Sequence, residues 1–377
     1  MHLLIDIFFH IEIEKSLKLA NTKKINILNC NIFFMTLLIS DEDVKKILTF
    51  EGTIEAVESA YRQYGLGLAG GNSLRHGCPI PPRCEMRIEG KNLPHMSPQI
   101  REIHQDMAYL EETGMILCRI GFYLGDKKGR MSTLLNAKNG EILAVIKSSF
   151  TSWIRTGSAG AVGAKYLSRK NSKVAGIIGT GRQGRTQLPA LTKVRDIEKA
   201  FAYSGRRRDE KYAQEMSRKL GIDVIACDNV AEVVKDTDIL ITATCATTPI
   251  IQGEMINEGL HINAMGADCP LKTELDALTL KKADKLVIDY ELALDTKEIR
   301  VPMDQGLLRM EDIYGTIGEV VAGLKPGREK ATEITIYKNT GMCLPYVAIY
   351  AKVYEKAIET GLGTDIGEYF SDLMYTF

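Results

Sequence analysis

One stretch, Lys173–Leu188 (KVAGIIGTGRQGRTQL), restricts the fold of this chain more than any other. It reads as a buried strand, Val174–Ile178, that runs into Gly179, Gly181 and Gly184 and then into a helix. The first glycine makes a tight turn, the second lets backbone approach a pyrophosphate, and the third lets helix pack on strand. A pyrophosphate placed there meets the free N–H groups of the helix N-terminus, where the dipole favours an anion. The loop Gly179, Thr180, Gly181, Arg182, Gln183 and Gly184 is therefore expected to bind a dinucleotide. An ordinary glycine-rich turn is the competing possibility, and the strand before it and the helix after it weigh against that.

From Lys173 onward strands alternate with helices. The expected strands are Val174–Ile178, Ala200–Ser204, Asp223–Ala226, Ile239–Thr244, His261–Met265 and Lys285–Ile288. Helices such as Lys211–Leu220 and Val230–Asp236 fall between them. That rhythm predicts an α/β fold with a Rossmann-type, doubly wound parallel sheet. Before it, Thr53–Tyr64 has helical apolar spacing, and Arg83–Arg87, Ile116–Leu124 and Met131–Leu135 read as strands. Lys138–Glu141 reads as a turn between strands. Thr151–Ser168 reads as a helix rich in small residues, which predicts close backbone packing. After residue 320 come a strand Glu333–Tyr337, a turn at Thr340–Gly341 and a helix Tyr346–Thr360. A chain of 377 residues suits two domains. We expect a Rossmann domain over 158–319 and a discontinuous α+β domain from 35–157 and 320–377, with the last segment folding back onto the first.

Residues 1–34 stand apart, being rich in Ile, Asn, Lys and Phe. Asp6 and His10 interrupt the first apolar run, no small-residue cleavage site follows, and no run approaches the ~20 residues that span a bilayer. A domain-like pattern begins at Met35, where Ser40 can cap a helix opening Asp41-Glu42-Asp43. Residues 1–34 are thus expected to be an extension outside the native fold. The 48 basic residues balance 48 acidic ones, which points away from nucleic acid and anionic membranes and towards a small-molecule partner. The 8 cysteines are scattered without a C-x-x-C pair, as in a reduced cytoplasmic protein, and no metal-ligand spacing appears.

The end of the second Rossmann strand distinguishes NAD from NADP. An acid there binds the ribose 2′-OH, whereas arginine accommodates a 2′-phosphate. Here Ser204 and Gly205 are followed by Arg206, Arg207 and Arg208, and the balance favours NADP. Thr244 follows the fourth strand at the sheet's carboxyl edge, where ligands bind. After the fifth strand come Met265, Gly266, Ala267 and Asp268. Asp268 is a candidate general base or iminium stabiliser. It is equally a candidate N-cap for a segment starting near Pro270. If the substrate carries a carboxylate, Arg155 supplies a two-pronged donor for it. Arg83 and Arg87 share one face of their expected strand and are further candidates.

Together these motifs resemble the ornithine cyclodeaminase/mu-crystallin family, and within it the archaeal alanine dehydrogenases. The resemblance is carried by Ser152–Lys170, Gly176–Gln187, His261–Asp276, Thr316–Glu329, Glu333–Gly341 and Lys352–Ala357, and it extends from Met35 to the C-terminus. It implies a homodimer whose dimerisation and substrate domain is built from both ends of the chain. It also implies hydride transfer between NAD(P) and the Cα of an amino or imino acid. By motif match Asp268 takes the catalytic carboxylate role, Arg155 clamps the substrate carboxylate, and Arg83 makes a second basic contact. Lys272 and Asn339 fall where family members approach the cofactor. The family's usual catalytic lysine falls at Leu117. Arg119, on the same strand face, replaces its charge but cannot exchange its proton.

The expected function is an NAD(P)-dependent oxidoreductase of the alanine dehydrogenase or imino acid reductase type. One alternative is an ornithine cyclodeaminase making proline and ammonia. Another, of a different class, is a non-catalytic NADP-dependent binding protein like mu-crystallin.

Overall fold

Short apolar strands separated by helices assemble the second half of the chain into one parallel sheet, and longer alternating strands build a second sheet from the first half. The structure is a computed structural model that describes residues 35–70, 84–86, 100–124, 127–147, 149–205 and 209–370. The described residues from Thr36 onward form one compact unit. The expected extension 1–34 lies outside the described residues, as do Arg83, Arg87, Arg206 and Arg207.

In chain order the unit opens with β1 (Leu37–Ile39), α1 (Asp41–Ile47) and α2 (Phe50–Gly65). β2 (Ala69–Gly70), β3 (Cys84–Met86), β4 (Ile100–Leu110), β5 (Met115–Leu124), β6 (Lys127–Asn136) and β7 (Ile142–Ile146) follow, then α3 (Phe150–Leu167). The alternating part begins with β8 (Val174–Ile178), α4 (Gly184–Leu191), β9 (Lys199–Tyr203), α5 (Glu210–Leu220), β10 (Asp223–Ala226) and α6 (Val230–Lys235). It continues with β11 (Ile239–Thr242), β12 (His261–Ala264), α7 (Ala277–Lys281), β13 (Lys285–Ile288), α8 (Lys297–Asp304), β14 (Ile313–Thr316), α9 (Ile317–Val321) and β15 (Thr335–Lys338). α10 (Leu344–Thr360) and β16 (Thr364–Asp365) close the unit.

The second sheet runs β10-β9-β8-β11-β12-β15-β13-β14, parallel throughout. Its first five strands have the Rossmann order, which reverses between β8 and β11. The first sheet runs β16-β1-β7-β6-β5-β4-β2, with β3 also paired to β4. It is antiparallel except between β1 and β7.

Ser40 caps α1 as expected, in a capping box with Asp43. The small residues of α3 bring it against α4 and the second sheet. A Cβ on Gly157 would sit 2.6 Å from the Thr186 carbonyl oxygen, and one on Gly163 would strike the Tyr337 ring. These contacts are the close backbone packing that the sequence of this segment predicts.

Two expectations need correcting. The strand near 333–337 does not return to the first sheet: Thr335–Lys338 inserts between β12 and β13 of the second. Among the described residues after β15, α10, packed on β4, β5 and α2, and β16 rejoin the first sheet. Asp268 is not a helix N-cap, because residues 269–271 form a bend and turn and the next helix, α7, is capped by Asp276.

Candidate active site

A cleft of about 590 Å³ opens at the carboxyl edge of the second sheet, where its strand order reverses. One wall comes from the loops after β8, β11, β12 and β15. The other comes from β4, β5, β6, α3 and the start of α10. The cleft therefore collects residues that lie far apart in sequence.

On the first wall the glycines divide their work. Gly179 has φ +103°, and a Cβ there would lie 2.5 Å from the Ala243 carbonyl oxygen. A Cβ on Gly184 would strike the Gly179 carbonyl oxygen, so these two let strand, turn and helix close on one another. A Cβ on Gly181 would meet nothing within 4 Å. Gly181 lines the cleft with Arg182 and Gln183, leaving backbone accessible to an incoming anion. Arg182 stacks on Trp153 across the cleft, its guanidinium carbon 4.7 Å from the ring centroid. Thr180 turns away and donates its hydroxyl to Asp209, the first described residue after the arginine run. Ser204 directly follows β9.

Thr244, Met265, Gly266, Asp268, Lys272 and Asn339 continue this wall. The Asp268 carboxylate is half exposed and bonded to Lys272 Nζ at 2.7 Å. Burial lowers the Lys272 ammonium pKa, but Asp268 outweighs it and the net shift is upward. Behind this loop lies a buried polar frame. Lys338 Nζ donates to the Ala267 carbonyl oxygen and to Glu298, 2.6 Å away. Glu298 also accepts from the backbone N–H groups of Glu274 and Leu275 at 2.6 and 2.8 Å. Glu274 in turn accepts from the Thr244 and Gly266 N–H groups at 2.6 and 2.9 Å and from the Thr242 hydroxyl. Burial, and then Glu298, raise the Glu274 carboxyl above its usual range. Asn339 is oriented by the buried Tyr337 hydroxyl, 2.7 Å from its amide nitrogen.

The opposite wall is cationic. Arg155 is buried. Its Nη2 donates to the Tyr346 hydroxyl at 3.3 Å, while Nε and Nη1 have no partner among the described residues. Gly341 lies against it, since a Cβ there would be 3.1 Å from Nη2. Buried Asp289 pins that turn by accepting from the N–H groups of Thr340 and Gly341 at 2.8 and 2.6 Å. Arg119 is also buried and is bound through Nε at 2.8 Å, and through Nη2, to Asp106, its direct cross-strand partner. Its guanidinium carbon lies 3.9 Å over the Tyr346 ring centroid. Leu117 and Arg119 both face inward, as the shared strand face requires. Arg130 completes the cluster. Burial raises the Tyr346 phenol, but Arg155, Arg119 and Arg130 outweigh it and bring it down to about 6.

The structure thus gathers Arg119, Arg155, the glycine loop, Thr244, Asp268 and Asn339 in one cleft, while Gly179, Thr180 and Gly184 shape the loop from behind. Tyr346, Asp106 and the Glu274–Glu298–Lys338 frame are not expected from sequence. Asp106 lies on β4, which carries no clean alternation, and its role appears only once β4 and β5 are in register.

Known proteins resemble this chain over most of its length. The sequence model of the Ornithine cyclodeaminase/mu-crystallin family matches residues 127–361. An alanine dehydrogenase of Archaeoglobus fulgidus is 36% identical over 337 residues, 88% of this chain and 98% of that protein. Among solved structures, a Thermococcus litoralis Delta(1)-pyrroline-2-carboxylate reductase in complex with NADH and L-proline is 35% identical with a TM-score of 0.78, covering 88% of this chain and 100% of that one. An archaeal alanine dehydrogenase dimer with bound NAD, 35% identical, has a TM-score of 0.76 and covers 88% of this chain and 98% of that one.

Proposed function

The chain belongs to the ornithine cyclodeaminase/mu-crystallin family, and we infer that it is a nicotinamide-dependent oxidoreductase acting on the Cα–N bond of a small 2-amino or 2-imino acid. One observation carries this reading: the glycine loop and buried Arg155, whose Nη1 has no partner among the described residues, line the same cleft. The bound nicotinamide supplies or accepts the hydride. Arg155 holds the substrate carboxylate at the Nη1–Nη2 edge of its guanidinium, where Nη1 has no partner among the described residues. Asp268 stabilises positive charge developing on the nitrogen, and the frame behind Ala267 holds its turn in place. Arg119 contributes fixed positive charge to the opposite wall.

Asp106 favours the dehydrogenase or reductase outcome over cyclodeamination. A diamino acid needs an acidic partner for its second amine, and the carboxylate on this wall is committed to Arg119. Incubation with NAD or NADP and a panel of alanine, proline, aspartate and ornithine tests the reading. Net cofactor reduction supports it, as does oxidation of the reduced cofactor by the matching imines. Ammonia and proline from ornithine without net reduction point to the cyclodeaminase. Tight cofactor binding with no turnover in either direction points to a binding protein.

For the cofactor we propose NADP over NAD, on Arg206 and Arg207 and on the engagement of the nearby Asp209 by Thr180. Replacing both arginines by alanine should weaken NADP selectively, and equal losses for the two cofactors would sink the preference. We also propose a homodimer, with residues 35–157, α10 and β16 forming the dimerisation and substrate domain and the second sheet, β15 included, forming the dinucleotide domain. Ile120 and Met131 support it: they are paired in register on β5 and β6 and both are exposed. A cytoplasmic location fits the free thiols of Cys118, Cys227, Cys245, Cys269 and Cys343. No described helix is long and apolar enough to cross a membrane.

A further inference from the structure

We propose that the Tyr346 hydroxyl is a catalytic acid–base group of this cleft, exchanging a proton with the substrate nitrogen. The proposal rests on the reading of the cleft as an amino or imino acid site.

The chemistry of the arginine wall leaves few groups for this task. Arg119 and Arg155, both raised above the usual range, keep their protons at any working pH. Asp106 is bound by Arg119. Asp268 belongs to the other wall, half exposed and paired with Lys272. Tyr346 lines the cleft and has an exchangeable proton, and its oxygen lies 3.3 Å from Arg155 Nη2. Nη1 has no partner among the described residues and shares an edge of the guanidinium with Nη2, and a substrate carboxylate held at that edge has its α-nitrogen two bonds from the carboxylate carbon. The nitrogen is thereby brought beside the phenol oxygen.

The surroundings stabilise the charged form. Arg155 and Ser152 face Tyr346 from α3, Arg119 from β5 and Arg130 from β6, with Asp106 of β4 behind Arg119. Cys343 at the start of its own helix, and Tyr350 one turn on, are both pushed up by burial and stay neutral. The net balance draws the phenol down to about 6.

In the oxidative direction the phenolate takes one proton from the substrate ammonium, giving phenol and neutral amine. The Cα–H bond then breaks, and its electron pair leaves as hydride to the nicotinamide. The nitrogen lone pair forms the C=N bond, yielding an iminium and the reduced dinucleotide. Water converts that iminium to a keto acid and ammonium. In the reductive direction the iminium accepts hydride, and the phenol returns one proton to the resulting amine.

The test compares wild type with Tyr346→Phe, using the substrate from the panel that the wild type turns over. A catalytic proton group is worth about 10²–10⁴-fold. The variant should lose that much in kcat, lose the limb of the pH–rate profile near 6, and bind the reduced dinucleotide with unchanged affinity. Ultraviolet titration of the wild type should show a tyrosinate band appearing near the same pH, and the variant should lack it. A variant that keeps kcat and its pH profile and shows only a raised KM reduces Tyr346 to a counter-ion and overturns the proposal. So does a wild type with no tyrosinate band below about pH 9, where an ordinary phenol begins to ionise. Those two results leave the oxidoreductase reading standing, whereas a wild type inert towards the whole panel removes both.

Discussion

Lys338 and Glu298 are both fully buried and joined by an ion pair of 2.6 Å, directly beneath the turn that carries Asp268. Neither charge has solvent to fall back on, and Glu298 also holds two backbone N–H groups of the next turn. Lys338→Met should cost about 3–5 kcal/mol, because it strands a buried carboxylate. Urea unfolding measures this directly. A loss below about 1 kcal/mol would show that the pair does not hold the turn.

The glycine loop predicts a dissociation between folding and binding. Gly179→Ala meets the Ala243 carbonyl oxygen at a positive φ and should lower the melting temperature. Gly181→Ala meets nothing within 4 Å and should melt like wild type. It should nonetheless bind the dinucleotide at least about tenfold more weakly, by blocking the close backbone approach to the pyrophosphate. Calorimetry and cofactor titration on the two variants separate the effects. Unchanged affinity in Gly181→Ala contradicts the assigned anion path.

Arg155→Lys keeps the charge and removes the planar fork. Losing one charge-assisted hydrogen bond costs about 1.5–3 kcal/mol, so kcat/KM should fall roughly 10–150-fold. Cofactor affinity should not move, since Arg155 is on the opposite wall. Steady-state kinetics with an amino acid and its amide analogue provides the check: the amide should lose far less than the acid.

Tyr346 also links stability to pH. Its phenol titrates near 10 in the unfolded chain and at about 6 in the folded one. Between those values the unfolded chain holds a proton that the folded chain has released. Folding stability therefore rises with pH across that window, by up to ~1.4 kcal/mol per unit, and the gain is lost as pH falls through about 6. Measured against Tyr346→Phe, the stability difference should grow from about pH 6 to 10, and a flat difference refutes the ionised state.

Much of this architecture is legible in the sequence. Strands β8 and β13 fall where apolar runs and breakers place them, because buried parallel strands carry a strong apolar signal. β4 is invisible there: Ile100–Leu110 mixes Arg, Glu, His, Gln and Asp into a strand, with no period to read. The glycine loop, Arg155 and Asp268 are local motifs and survive translation from sequence to site. Tyr346 and Asp106 do not. Each matters only through neighbours far away in sequence, and in one dimension Tyr346 is one of three tyrosines, with Tyr350 and Tyr354, in an apolar helix. The misplacement of β15 has a similar cause, since strand propensity says nothing about which sheet a strand joins.

The path from β15 into α10 has a consequence for engineering. Within nine residues, Lys338 to Tyr346, the chain contributes the buttress of the Asp268 turn, the Asn339 contact, the Gly341 turn against Arg155, and Tyr346 itself. Asp289 clamps the middle of that span at Thr340 and Gly341. The two halves of the reaction are thus threaded on one short ribbon. Substrate range and cofactor preference are not independent dials: a change that re-aims the ribbon for one ligand re-aims it for the other.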